Sequence, residues 1–143
     1  MNYKNELISL FNIFNETDKL YDKLAAKVGI NSNQLSILYY LETHEKVTQK
    51  NITEDMLIPK QTVNTILNNW IKQGYIFFEN ELSKKNKIIL FTELGKKELG
   101  SKICYVMNQE AIILNKIGVE ETNNLVLANL KYLNIMREVI KNE

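Results

Sequence analysis

Between Ile58 and Ile76 the chain reads IPKQTVNTILNNWIKQGYI. Lys60, Gln61, Thr62, Asn64, Thr65 and Asn68 supply an ammonium, amides and hydroxyls to one side of this stretch, while Val63, Ile66, Leu67 and Trp70 fall at i, i+3, i+4 and i+7. That spacing predicts a helix with one buried and one polar face. Side-chain amides can make paired hydrogen bonds to adenine, threonine can meet thymine methyls or phosphates, and lysine can reach guanine or phosphate. Free backbone N–H groups at the start of such a helix also favour a phosphate. Close behind comes Ser83-Lys84-Lys85-Asn86-Lys87, read as the basic tip of a β-hairpin. Three lysines around one tip repel one another, and a phosphate backbone or minor groove would give them a partner. A polar helix face is also what any solvated helix carries, and lysines also guard sheet edges. The adjacency of the two features favours nucleic acid.

The overall charge does not point the same way. Lys and Arg number 18 and Asp and Glu 17, a formal net charge of +1, where a nucleic-acid-binding domain is often more basic. The distribution is more informative. No acidic residue occurs from Met56 to Phe78 or from Ser83 to Phe91, and acids gather elsewhere, at Glu6, Glu16, Asp18, Glu54, Asp55, Glu120, Glu121 and Glu138. A local basic face on a near-neutral body still steers toward phosphate.

The elements that must hold these residues follow from period and punctuation. Leu7, Leu10, Phe14, Tyr21, Leu24 and Val28 mark a first helix from about Asn5, ended by Gly29. Asn31-Ser32-Asn33 caps a second helix running to about Thr43, and Thr48 caps a short third one from Gln49 to Leu57. Pro59 suits the first turn of the fourth helix, and Gly74 stops it. The period then shortens. Tyr75 to Glu81 and Lys87 to Phe91 are rich in β-branched and aromatic residues and predict the two strands of the hairpin, with a tiny extra strand near Lys46-Val47. Thr92 caps a fifth helix predicted to run unbroken to Ile117, and after Gly118 a sixth opens at Glu120 and carries Val126, Leu130, Leu133 and Ile140. The fold class is therefore mainly α with a small β-hairpin. Helix three, a turn and helix four make a helix-turn-helix, and the hairpin makes it winged.

With 143 residues, 45% hydrophobic and 24% charged, the chain has enough apolar surface for a core without staples. Cys104 is its only cysteine, so no intramolecular disulfide forms, and the reading is a cytoplasmic protein. Asn2, Lys4, Asn5 and Glu6 interrupt the first apolar residues too early for a secretion signal, and the apolar runs are too short to span a bilayer. His44 and Cys104 are too few to ligate zinc, so no metal and no cofactor is expected. Cys104, beside Ile103 and near Val106, reads as a small buried residue. No glycine-rich phosphate loop, nucleophile with a paired base, or acid cluster marks an enzyme.

From Thr48 to Lys97 the sequence resembles the MarR family of winged helix-turn-helix transcriptional regulators. The matching pieces are Thr48-Gln49-Lys50, Ile58-Pro59-Lys60-Gln61-Thr62-Val63, Gln73-Gly74-Tyr75-Ile76, and Asn86-Lys87-Ile88-Ile89-Leu90-Phe91-Thr92-Glu93-Leu94-Gly95. The resemblance implies a homodimer on a palindromic double-stranded DNA operator, with dimerisation helices at 1–30 and 100–143 and the winged helix-turn-helix at 31–99. It implies a repressor released by a small-molecule effector, for which Phe14, Tyr21, Tyr39 and Tyr40 could line a pocket. In the family's wing an Asp braces an Arg that enters the minor groove. Here those positions correspond to Ser83 and Lys85, and lysine lacks the planar fork of arginine. Thr53 stands for a common small residue and Trp70 for a common Leu. Broad apolar stripes on the first and last helices agree with a two-fold dimer, which would set two recognition helices roughly 34–36 Å apart. A different class fits the same lysines: a winged-helix interaction module whose basic wing binds an acidic protein partner.

Overall fold

The centre of the fold is a pair of helices, α3 (Gln49–Asp55) and α4 (Lys60–Lys72), in a computed structural model that describes residues 2–79 and 87–141. Thr48 caps α3 through a reciprocal box: its hydroxyl accepts from the Asn51 N–H, and the Asn51 side chain accepts from the Thr48 N–H at 2.9 Å. Asn31 and Gln34 repeat the device at the start of α2 (Ser32–Thr43). Between α3 and α4 the chain bends at Met56, Leu57 and Ile58. Met56 leaves the helix at φ −104°, ψ 138°, and Ile58, as the residue before Pro59, is disfavoured from helical geometry. Helix three stops at Asp55, two residues before the predicted Leu57, and Leu57 is fully exposed. Pro59 is the cap residue of α4, one position outside the predicted first turn.

α4 ends as its glycine requires. Gly74 has φ +74°, Tyr75 N–H donates to Trp70 O at 2.8 Å, and Gly74 N–H donates to Ile71 O at 3.0 Å. This left-handed closure satisfies the last carbonyls of the helix and turns the chain into the hairpin. β1 (Ile76–Phe78) and β2 (Ile89–Phe91) pair antiparallel in the register Ile76–Phe91, Phe77–Leu90 and Phe78–Ile89. Ile76 and Ile89 face the core, and Phe77 and Leu90 face out. Ile89 N–H also donates to Val47 O at 2.8 Å, and Thr48 bridges Ile88. The extra strand expected near Lys46-Val47 is thus a single bridge, Thr48 to Ile88, beside β2.

The hairpin base is closed by the next helix, α5 (Glu93–Glu98). The Thr92 hydroxyl donates to Gly74 O at 2.5 Å, its N–H donates to Tyr75 O at 3.0 Å, and the hydroxyl accepts from Gly95 N–H at 2.9 Å. The predicted fifth helix is not continuous. It breaks at Leu99, and α6 runs from Gly100 to Ile117. Among the described residues, Ile37, Leu38, Ile52, Val63, Leu67, Leu99 and Val106 are the largest fully buried side chains.

The chain divides into two compact units, Met1–Val106 and Met107–Glu143. In the first, α1 (Lys4–Lys27) closes at Gly29 (φ +75°), where Lys102 Nζ donates to Val28 O at 2.5 Å. Only Ala25 of α1 is buried, while Leu7, Phe11, Phe14 and Leu20 are 44–67% exposed. The second unit contains the rest of α6 and α7 (Val119–Lys141), joined at Gly118. No described residue from 107 to 141 is buried. Among the described residues, no helix is long and apolar enough to cross a membrane.

Candidate nucleic-acid interface

Helix α4 is divided along its length. Val63, Ile66, Leu67 and Trp70 are its buried residues. Lys60, Gln61, Asn64, Thr65 and Asn68 are exposed, and Thr62 is half-buried. The exposed set therefore shares one face, free of acidic residues and opposite the core. The Thr65 hydroxyl donates to Gln61 O at 2.9 Å, which leaves its oxygen able to accept. Gln49, from the first turn of α3, donates from Nε2 to Asn64 Oδ1. Gln49 is a residue of this face that periodicity alone does not find.

Of the predicted wing residues, Lys87 is half-buried just before β2. Ser83, Lys84 and Lys85 lie outside the described residues.

α3 is pinned from behind. The Tyr40 hydroxyl donates to Asp55 Oδ2 at the end of α3, and the Tyr40 ring stacks on His44 with centroids 3.9 Å apart. The hydrogen bond to Asp55, burial, and the Asp55 negative charge hold the Tyr40 hydroxyl above its ordinary ionisation range. A raised folded value means that this contribution to stability is whole below about pH 10 and is lost as pH rises through the folded value. Tyr40→Phe should lower stability at neutral pH by about 1 kcal/mol and flatten the alkaline limb of a stability–pH profile. Parallel profiles for variant and wild type above pH ~10 would contradict this role.

The predicted pocket aromatics are dispersed in role. Tyr40 is a buried strut between α2 and α3, Tyr39 is half-buried, and Phe14 and Tyr21 are exposed on α1. A cleft of about 640 Å³ lies elsewhere, lined by residues that include Leu41, His44, Val47, Leu90, Phe91 and Lys96 and by none of the four. Cys104 is exposed rather than buried. Ile103 and Val106 carry the inward face of α6 there, and one residue beyond Ile103 is about 100° around the helix.

A helix-turn-helix with a two-stranded wing, its second helix polar on the outside, defines the winged helix-turn-helix class. Residues 28–84 match the model of the MarR family. A MarR family regulator from Neisseria meningitidis is similar over 100% of both chains, at 26% identity and a TM-score of 0.78. The Staphylococcus aureus MarR in complex with salicylate and kanamycin is 21% identical over 98% of this chain and 93% of its own, with a TM-score of 0.68. The S. aureus MepR–DNA complex is 22% identical over 89% of this chain and 94% of its own, with a TM-score of 0.67. No curated protein matches the chain. The chain is thus similar to the MarR family of winged helix-turn-helix transcription regulators, by the family model over residues 28–84 and by structure over its whole length.

Proposed function

We propose that the chain is a dimeric, sequence-specific regulator that binds a palindromic double-stranded DNA operator, a cytoplasmic repressor released by a small-molecule effector. The observation that carries the reading is the division of α4. Val63, Ile66, Leu67 and Trp70 go into the core, and outside, ahead of Ile71 and Lys72 in the last turn, is a row of amides and hydroxyls with Lys60 at the start. Such a face supplies hydrogen bonds to base edges without relying on charge. Ser83, Lys84, Lys85 and Lys87 would grip the backbone beside it. The helix-turn-helix is also the part of the fold that matches the family model.

Dimerisation is supported by apolar surface. Leu7 and Phe11 on α1 are more than half exposed, as are Leu127, Val139 and Ile140 on α7. Exposed apolar area of this extent marks an interaction surface, and a second copy would cover it at both ends of the chain. The salicylate complex of the S. aureus relative motivates the effector, with Phe14, Tyr21 and Tyr39 as candidate contacts.

The test is enrichment of bound duplexes from genomic fragments, with the mass in solution measured alongside. A dimer and a shared inverted repeat are expected. On that repeat, the Lys84→Ala/Lys85→Ala double variant should lower the salt slope of binding by about one per lost contact. A monomer that enriches no duplex would overturn the proposal and leave the acidic-partner reading in its place.

A further inference from the structure

α1 is attached to the winged helix-turn-helix by one end. Of its 24 residues only Ala25 is buried, with Leu24 and the cap residue Val28 half-buried beside it, and every residue from Phe11 to Lys23 is exposed. At 1.5 Å per residue such a helix is about 36 Å long, so most of it projects as a lever from its last turn. A tilt of about ten degrees at that turn moves the far end by about 6 Å, close to two base-pair steps. Two devices fix the angle. Ala25 is 0% exposed, and its carbonyl accepts the N–H groups of both Val28 and Ile30, which ties the last turn to the chain leading into α2. Across the joint, the Lys102 ammonium donates to Val28 O, and a Cβ at Gly29 would lie 3.8 Å from the same nitrogen. The ammonium thus stands at the negative end of the α1 dipole, and among the described residues no salt bridge competes for it. Lys102 lies in the first turn of α6, three residues after the break at Leu99 that ends α5. Since α5 closes the base of the hairpin, the joint connects α1 to the segment that carries the wing.

We propose that Ala25 and Lys102 are positioning residues that fix the angle between α1 and the winged helix-turn-helix, and through it the spacing of half-sites that a dimer accepts. On the dimeric DNA-binding reading, on which this rests, the exposed length of α1 is the part a second copy holds, and the winged helix-turn-helix swings about the joint relative to the two-fold axis. Neither residue belongs to α4, so they act on distance and not on base identity.

The probe is a set of duplexes that carry the enriched half-site as an inverted repeat, with the spacer varied one base pair at a time. They are bound by wild type, Lys102→Met, Lys102→Arg and Ala25→Gly. Methionine keeps an apolar stem and removes the ammonium, arginine keeps a charged donor, and glycine loosens the last turn from its buried side. Wild type should prefer one spacer. Lys102→Met and Ala25→Gly should each shrink that preference over the neighbouring spacers by about tenfold. Lys102→Arg should stay close to wild type, and base preferences inside the half-site should hold in all four proteins. A spacer preference unchanged in folded, dimeric Lys102→Met and Ala25→Gly would overturn the inference while leaving the DNA-binding reading intact. So would an equal loss of affinity at every spacer, or a failure of both variants to fold, since either would make the joint a support of the fold and not a setting of distance. A wild type that is monomeric or enriches no duplex would overturn both.

Discussion

Gly95→Ala should destabilise the winged helix-turn-helix by about 3 kcal/mol or more, lowering Tm by roughly ten degrees or more. The reason is local and steric. A Cβ at Gly95 would lie 1.8 Å from Tyr75 O and 2.7 Å from its carbonyl carbon. Neither atom belongs to a flexible side chain. The Tyr75 carbonyl already accepts the Thr92 N–H, and Tyr75 follows the glycine that ends α4. Making room for the methyl therefore means pulling α5 from the base of the hairpin or twisting the exit of α4. Either movement shifts the wing relative to the helix it flanks, so duplex binding should fall with stability. Gly100→Ala is the internal control. Its Cβ would meet nothing within 4 Å, and its stability should be unchanged or raised by up to about 1 kcal/mol. Equal thermal denaturation curves for the two variants would show that the Gly95 contact does not constrain the fold.

Trp70→Ala should cost about 3–5 kcal/mol. Trp70 is 2% exposed and is the largest residue on the buried face of α4. Its loss leaves a cavity where that helix meets the core. Denaturant unfolding should show the loss as a lower midpoint. Trp70→Leu keeps an apolar side chain there and should recover a large part of the loss. Equal losses in the two variants would mean that something other than buried apolar volume is at stake.

Much of this arrangement is legible in the residues alone, for a physical reason in each case. Val63, Ile66, Leu67 and Trp70 repeat at helical spacing because one face must be dry. Asn31, Thr48 and Thr92 precede helices because their side chains accept the first free N–H groups. Gly74 follows α4 because the closing turn needs positive φ. What escapes such reading has no periodic signature. The break at Leu99 keeps nearly helical dihedrals (φ −89°, ψ −40°), so the apolar repeat passes through it. The exposure of Cys104 depends on a single step around α6. The pairs Gln49–Asn64 and Tyr40–Asp55 each join residues 15 apart in sequence, and only the crossing of helices brings them together. The candidate groove-reading face was visible as a row on one helix. Gln49, which meets Asn64 from α3, has no such signature.

The central claim is that the outer face of α4 reads base sequence. It is tested most directly by Gln61→Ala, measured on the enriched duplex and on a shuffled duplex of equal length across a salt series. Gln61 is exposed and its side chain carries no charge. The variant should lose on the order of 1–3 kcal/mol on the enriched duplex and almost nothing on the shuffled one, with the salt slope unchanged on both. Equal losses on the two duplexes, or none on either, would contradict the claim.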